Sequence, residues 1–243
     1  MQESHQRPHH YTATMHLVSY FRSGDAMRSR SVSPLVLAAR LEVPRPPASV
    51  VADWERDIHG QLGLEPGDVA PLPLARTRRR WPDLRPCVSA AADWMQQFGL
   101  RDLLTDSDIA LMACRGARFH HDGAQYGGAA FCNLFLSEDK GLDVWFPFAG
   151  QRIPLAQGTV LVFDTCQPHA VVERGSDRFD AAAFGPGRDC SQVFLTWELP
   201  VQDAALARLL GIEFDVEAVQ LDDEQVRRDG QALEVCAQTG RPL

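Results

Sequence analysis

Two neighbouring residues, His120 and Asp122, have the types and the spacing that could hold a metal ion. They lie in the run RGARFHHDG, residues 115–123. Side chains alternate between the two faces of a strand, so residues two apart project to the same side. An imidazole and a carboxylate can therefore point at one ion. His121 projects to the opposite face, which predicts that it lies outside the metal site.

A third ligand is expected from a distant segment, and His169 is the candidate. It follows the strand-like run from Thr159 to Asp164, which begins after the turn signal Gln157-Gly158. Two imidazoles and one carboxylate bind one side of a metal and leave its other positions open, an arrangement typical of iron(II) sites that react with dioxygen. The sequence therefore predicts one iron(II) ion bound by His120, Asp122 and His169.

The segment resembles a known family, the iron(II)- and 2-oxoglutarate-dependent oxygenases with a double-stranded β-helix core. The HHD triplet at 120–122 is similar to the prolyl-4-hydroxylase-like branch, and the run GTVLVFDTCQPH at 158–169 is similar to the strand that precedes the distal histidine. Arg178 lies nine positions after that histidine and is followed closely by AAAF. The resemblance covers about residues 108 to 199.

The resemblance implies a cofactor set and a reaction. Iron(II) would be the catalytic metal, 2-oxoglutarate the cosubstrate and ascorbate a candidate reductant. Arg178 would bind the distal carboxylate of 2-oxoglutarate, with Arg174 as the rival anchor. Asp180 stands where some branches have a serine that donates a second hydrogen bond to that carboxylate. The retained Asp122 implies hydroxylation of the substrate, with dioxygen consumed and succinate and carbon dioxide released.

Two further residues have both a functional and a structural interpretation. Asn133 lies in the mostly apolar run AAFCNLFLS, where an inward amide could bind 2-oxoglutarate or could be a satisfied structural group. Arg118 shares a strand face with His120, so it could bind a substrate carboxylate or form a structural salt bridge. Both alternatives stay open at this point.

Composition limits the classes of partner. The 243 residues suffice for one sizeable core, and the formal net charge of −8 argues against nucleic acid as the main partner. The six cysteines include no C-x-x-C pair, which favours reduced thiols in a cytoplasm. The sequence shows neither an export signal nor an apolar run long enough to span a membrane. We expect a cytoplasmic protein without a membrane partner.

The chain is predicted to form a single domain with four parts. Residues 1–12 read as a polar tail, 13–107 as N-terminal strand and helical support, 108–199 as the core, and 200–243 as a C-terminal helix and acidic tail. Within the support, 12–21 predict a strand at the edge of the main sheet, and 50–64 and 87–106 predict helices, with Ser89 as an N-cap. The basic run 75–86 predicts a solvated loop or, alternatively, a loop bordering the site.

The predicted fold class is mainly β with flanking helices, with a jelly-roll core. Short apolar runs separated by turn residues, without intervening helices, favour a sandwich or barrel. They occupy residues 108–116, 129–137, 142–150, 158–164, 170–174, 179–184 and 192–200. After the core, 203–212 predict a helix, and a helix is also expected around 223–228.

Two function classes remain open from the sequence. The first is a hydroxylase acting on a small molecule, such as a free amino acid or a biosynthetic intermediate, with a peptide or protein side chain as the second choice. The second is a cupin-like metal-binding protein or dioxygenase that does not use 2-oxoglutarate. A homodimer is a candidate assembly for either class.

Overall fold

The computed structural model of the chain describes residues 16–185 and 187–243. The predicted polar tail, residues 1–12, lies outside the described residues. The strands are β1 (Leu17–Ser23), β2 (Ala26–Ser31), β3 (Val36–Arg40), β4 (Val69–Leu72), β5 (Ile109–Arg115), β6 (Ala117–His120), β7 (Ala129–Phe135), β8 (Leu142–Phe146), β9 (Gln151–Leu155), β10 (Thr159–Asp164), β11 (His169–Glu173), β12 (Ser191–Pro200), β13 (Gln225–Arg228) and β14 (Gln231–Ala232). The α-helices are α1 (Ala48–Arg56), α2 (Leu74–Arg80), α3 (Leu84–Gln96), α4 (Arg101–Asp106), α5 (Gly123–Tyr126) and α6 (Ala204–Leu210).

Two antiparallel sheets form the core that positions the site. The major sheet has the strand order β3-β10-β7-β12-β5-β4, and the minor sheet has the order β6-β11-β8-β9. Of the eight strands β5–β12, four lie in the major sheet (β5, β7, β10 and β12) and four in the minor sheet (β6, β8, β9 and β11). This is the pattern of a jelly roll, in which an eight-stranded sandwich is built from two Greek keys. The predicted fold class, mainly β with flanking helices and a jelly-roll core, is confirmed.

The major sheet is covered on its outer side by the N-terminal helices. A hydrophobic cluster joins buried residues of α1 and α3, including Trp54 and Met95, to Leu134 of β7 and Leu195 of β12. A second cluster fills the space between the two sheets and includes Phe135 and Phe163. The helices thus support the sheet from outside, as predicted, and leave its inner face to the site.

Several predicted elements differ in the structure. The strand expected at the edge of the main sheet is β1, but it pairs with β2 and β13 in a separate four-stranded sheet. The helix expected around 223–228 is strand β13, because it pairs with β1. The expected strand at 179–184 is a 3-10 helix at Ala181–Phe184, since alanine favours strands weakly and the Asp180 carboxylate accepts a hydrogen bond from the Ala182 N–H at its start.

The helical support also differs from the prediction in detail. The basic run forms α2 in place of a loop, and Arg76 and Arg80 make ion pairs with Asp57 and Asp53. Its arginines therefore bind the neighbouring helical segment. Helix α3 begins after Asp83, six residues before the predicted N-cap Ser89.

Two chain-wide expectations can be compared with the structure. All six cysteines are free, and five of them are buried. In the part of the chain that the structure describes, no helix has the length and apolar character needed to cross a membrane.

Candidate metal centre and cavity

His120, Asp122 and His169 lie together at one end of the core. His120 ends β6 and His169 begins β11, and the two residues are direct cross-strand partners. One ligand atom from each of the three residues lies within 4.8 Å of the others. The Asp122 carboxylate is 3.6 Å from His120 Nε2 and 3.8 Å from His169 Nε2. The three sequence-predicted ligands therefore converge on a space of the size that a single metal ion would occupy.

Hydrogen bonds orient both imidazoles so that Nε2 faces this space. His120 Nδ1 lies 2.7 Å from the Arg118 carbonyl oxygen, and His169 Nδ1 lies 2.9 Å from the Gln167 carbonyl oxygen. Because a carbonyl only accepts, each Nδ1 must carry the proton and donate it, which leaves the Nε2 lone pair free for a metal. Backbone carbonyls thus fix the tautomer of both rings.

The electrostatics of His169 favour its neutral form. Burial, and then the neighbouring His120 imidazole, lower the pKa of His169 to about 4. At neutral pH its imidazole is uncharged, which is the form that binds a metal. Phe163 and Phe146 pack against the ring at centroid distances of 4.8 and 5.7 Å. The ring is therefore held on an apolar wall.

His121 points away from the three ligands. Its Nε2 lies 3.0 Å from the Leu233 carbonyl oxygen, and its Nδ1 accepts a hydrogen bond from the Gly123 N–H at 3.3 Å. Both ring nitrogens are therefore engaged between the 121–123 turn and the C-terminal segment. This agrees with the predicted alternation of faces at residues 120–122.

A hydrogen-bond network that the sequence did not reveal positions the ligand-bearing turns. The Asp122 N–H donates to the Thr165 carbonyl oxygen at 2.8 Å, and the Thr165 hydroxyl lies 2.6 Å from the Tyr126 carbonyl oxygen and 2.9 Å from that of Ala129. The segment carrying Asp122 is thereby tied to the turn that precedes His169. No local pattern marks Thr165, because its partners are backbone groups about forty residues earlier.

A buried ion pair supports the same turn. Arg30 and Asp164 are both fully buried and form two hydrogen bonds of 2.6 and 2.8 Å. Asp164 also accepts from the Cys166 N–H, and Arg30 Nε donates to the Gly127 carbonyl oxygen. The pair therefore links β2, the end of β10 and the segment after α5. A buried arginine from an N-terminal strand has no signature in the sequence.

A cavity of about 410 Å³ opens beside the three ligands, between the two sheets. Its volume is in the range of small-molecule sites. The walls combine apolar side chains with a few polar ones. The apolar lining includes Met112, Phe131, Phe135, Leu161, Phe163 and Phe194, and the polar lining includes Asp108, Asn133, Thr196 and Glu198. Within the described ranges, 16–185 and 187–243, the lining includes no lysine or arginine.

The three arginines considered from the sequence lie outside this lining. Arg178 is exposed in the loop after β11, while its neighbour Phe179 is buried and donates its N–H to the Gln238 carbonyl oxygen. Burial of Phe179 accounts for the outward direction of Arg178. Arg174 binds Asp139 and Asp143 through its guanidinium. The structure therefore does not bring the predicted anchor, or its rival, to the metal ligands.

Arg118 and Asn133 have different outcomes. Arg118 makes an ion pair with Asp68 at 3.3 Å and lies over the Phe179 ring, which matches the structural alternative for this residue. Asn133 lines the cavity, and its Oδ1 is buried without a hydrogen-bond partner among the described residues. Thr196, its direct cross-strand partner, was not predicted, although alternation along QVFLTWELP places it on the face of Phe194 and Glu198.

Comparisons with known proteins give low similarity. No family model and no curated protein matches the sequence. The structure of a viral collagen prolyl hydroxylase from Paramecium bursaria Chlorella virus-1 is similar at 10% identity and a TM-score of 0.37, over 68% of this chain and 91% of that one. A Pseudomonas putida prolyl-4-hydroxylase is similar at 16% identity and a TM-score of 0.37, over 68% and 92% of the two chains. The non-heme alpha ketoglutarate dependent carbocyclase SnoK from nogalamycin biosynthesis has 13% identity and a TM-score of 0.34, over 71% and 85%. Scores this low assign neither a family nor an activity to this chain.

Proposed function

We propose that the protein is a mononuclear non-heme iron(II) oxygenase that oxidises a small organic molecule in the jelly-roll cavity. One observation carries the proposal: two imidazole Nε2 atoms and one carboxylate converge beside a cavity, and both Nδ1 atoms are held by backbone carbonyls. Two histidines and one carboxylate on one side of a metal are the ligand set of iron(II) oxygenases. The donor atoms present thus fit an iron(II) ion.

The chain's residues have distinct tasks in this proposal. His120, Asp122 and His169 would hold the iron, which when bound supplies activation of dioxygen. Phe146 and Phe163 pack on the His169 ring and shield it from water. The cavity walls orient the substrate toward the ligand-bearing end. Exposure of the His120 side chain, at 37%, leaves that end open for molecules to enter.

2-oxoglutarate and the hydroxylation outcome remain predictions that rest on the sequence resemblance. The three ligands fit iron(II), whereas the cavity lining fits the distal carboxylate of 2-oxoglutarate poorly. A buried carboxylate needs a cationic or strongly hydrogen-bonding partner, and the predicted partner Arg178 faces solvent. A small-molecule substrate agrees with the volume of the cavity.

The proposal is tested by anaerobic titration of the metal-free protein with iron(II), with binding measured by calorimetry. The wild type should bind one iron per chain. Asp122→Ala should lose this binding, because the carboxylate is one of the three ligands. His121→Ala is the matched control and should retain it, since His121 faces the C-terminal segment. Retained stoichiometry and affinity in Asp122→Ala would contradict the proposed centre.

A further inference from the structure

The inner wall of the cavity is arranged in levels along the major sheet. Cross-strand register places Phe163 opposite Phe131, and Phe131 opposite Glu198. This is the outer level, because Phe163 contacts the ring of His169. Two residues further along each strand, Leu161, Asn133 and Thr196 form a second level. At about 3.4 Å per residue, the second level lies about 7 Å further into the cavity.

The third level is apolar. Phe135 and Phe194 are cross-strand partners with ring centroids 5.0 Å apart, and Met112 is the partner of Phe194 on β5. All three residues line the cavity. An ionised group that reached this depth would lose its hydration without gaining a partner, which is costly.

The second level carries the inner polar pair, Asn133 and Thr196. Asn133 is 9% exposed, and its Oδ1 has no hydrogen-bond partner within residues 16–185 and 187–243. The Thr196 hydroxyl is likewise buried, and no residue that the structure describes forms a hydrogen bond with it. Buried polar atoms are normally satisfied, so in a cavity wall such a pair indicates a bound ligand or water. Amide and hydroxyl groups are neutral, and each can donate as well as accept.

Two carboxylates place negative charge at the outer end of the cavity. Asp108 and Glu198 both line the cavity. Negative charge near the entrance disfavours anions, and a dianion more than a monoanion. The nearby arginines are bound elsewhere or exposed, as described for Arg118, Arg174 and Arg178.

From these levels we propose that the cavity binds a metal-chelating 2-oxo acid with an uncharged tail and selects against the distal carboxylate of 2-oxoglutarate. The inference deepens the proposed function and rests on it, because the head of the ligand would chelate the iron. A 2-oxo acid with a five-carbon chain and its head at the outer level ends near Asn133 and Thr196. A neutral acceptor there can take hydrogen bonds from the amide and the hydroxyl, and an alkyl tail can continue toward Phe194.

The test compares three acids that share one head and differ only in the tail. Iron(II)-loaded, full-length protein is titrated without oxygen with 2-oxoglutarate, its 5-methyl ester and 2-oxohexanoate. Chelation is followed by the visible charge-transfer absorption of a bidentate 2-oxo acid on iron(II). The ester removes the distal charge but keeps the oxygen atoms. We expect it to bind at least about tenfold more tightly than 2-oxoglutarate, with 2-oxohexanoate also tighter than 2-oxoglutarate.

Three variants identify the groups responsible. Thr196→Val and Asn133→Leu preserve side-chain size and remove the polar atoms, so each should weaken the ester by about three- to tenfold and leave 2-oxohexanoate unchanged. Arg178→Ala is the control and should change none of the three affinities. Far-ultraviolet circular dichroism checks that each variant is folded.

The outcomes separate this inference from the proposed function. Iron stoichiometry is measured on the same samples. If the protein binds no iron, both the proposed metal centre and the inference are wrong. If iron binds but 2-oxoglutarate binds as tightly as the ester or more tightly, the inference alone is wrong. The same holds if iron binds and none of the three acids chelates it. A loss of 2-oxoglutarate binding in Arg178→Ala would restore the anchor predicted from the sequence.

Discussion

The two ends of the cavity differ in how their residues are held. At the outer end, His120, Asp122 and His169 are oriented by hydrogen bonds from ring nitrogens and turn backbone. At the inner end, Asn133 and Thr196 lie within apolar walls, and their buried oxygen atoms have no hydrogen-bond partner in the described part of the chain. The outer end is therefore organised before a metal binds, whereas the inner end still offers hydrogen bonds to a ligand.

The largest effect on stability is expected at the buried ion pair that supports the outer end. Arg30→Met should lower the free energy of unfolding by about 3–5 kcal/mol, because the fully buried Asp164 carboxylate loses its partner. The matched control is Arg28→Met, two residues away on the same strand, whose ion pair with Asp215 is partly exposed and should contribute about 0–1 kcal/mol. Urea denaturation measures the free energy of unfolding of both variants. Equal losses would contradict a larger contribution from the buried ion pair.

The next effect is on the metal itself. His120→Ala and His169→Ala should each weaken iron(II) binding by about a hundredfold or more, since loss of an outer-shell partner alone typically costs about 10–100-fold. Competition with a chelator of known affinity measures the change. His121→Ala should stay within about threefold of the wild type, because its ring bonds the Leu233 carbonyl. A hundredfold loss in His121→Ala would contradict the assignment of strand faces.

These residues also mark what the sequence could and could not predict. Alternation around 120–122 predicted which side chains share a face, because that geometry is local. Helix α6 and most core strands were predicted from apolar runs, because these patterns are also local in the sequence. The support from Arg30 and the pairing of Asn133 with Thr196 depend on contacts between distant strands, which no short pattern encodes. Arg178 was assigned from the family resemblance, by its position nine residues after His169, and the burial of Phe179 turns its side chain outward.

A smaller effect is expected at the turn that joins the two ligand-bearing segments. Thr165→Val should cost about 1–2 kcal/mol of stability, because the buried hydroxyl bonds the Tyr126 or Ala129 carbonyl oxygen. It should also weaken iron(II) binding by up to about tenfold. The control is Thr105→Val in α4, where the hydroxyl is exposed and bonds the Asp102 carbonyl oxygen. An iron affinity unchanged in Thr165→Val would show that this network does not position the ligands.

The smallest effect is expected at Arg178, and Arg174, four residues earlier in the loop that follows β11, is the comparison. Arg178→Ala should change stability by no more than about 0.5 kcal/mol, because the side chain is exposed and away from the cavity. Arg174→Ala should cost about 1–3 kcal/mol, because the buried Asp143 carboxylate loses its closest cation. Thermal and urea denaturation of the two variants provide the comparison, and a larger loss in Arg178→Ala would reverse it.

The proposed metal centre is one iron held by two imidazoles and one carboxylate of the jelly roll. X-ray absorption spectroscopy of the iron(II)-loaded protein tests it most directly, because it counts the scatterers around the metal. We predict two imidazole nitrogens from the protein, with oxygen atoms in the remaining positions, and loss of one imidazole in either His120→Ala or His169→Ala. Three imidazoles, a sulphur ligand, or an unchanged shell in both variants would contradict this ligand set.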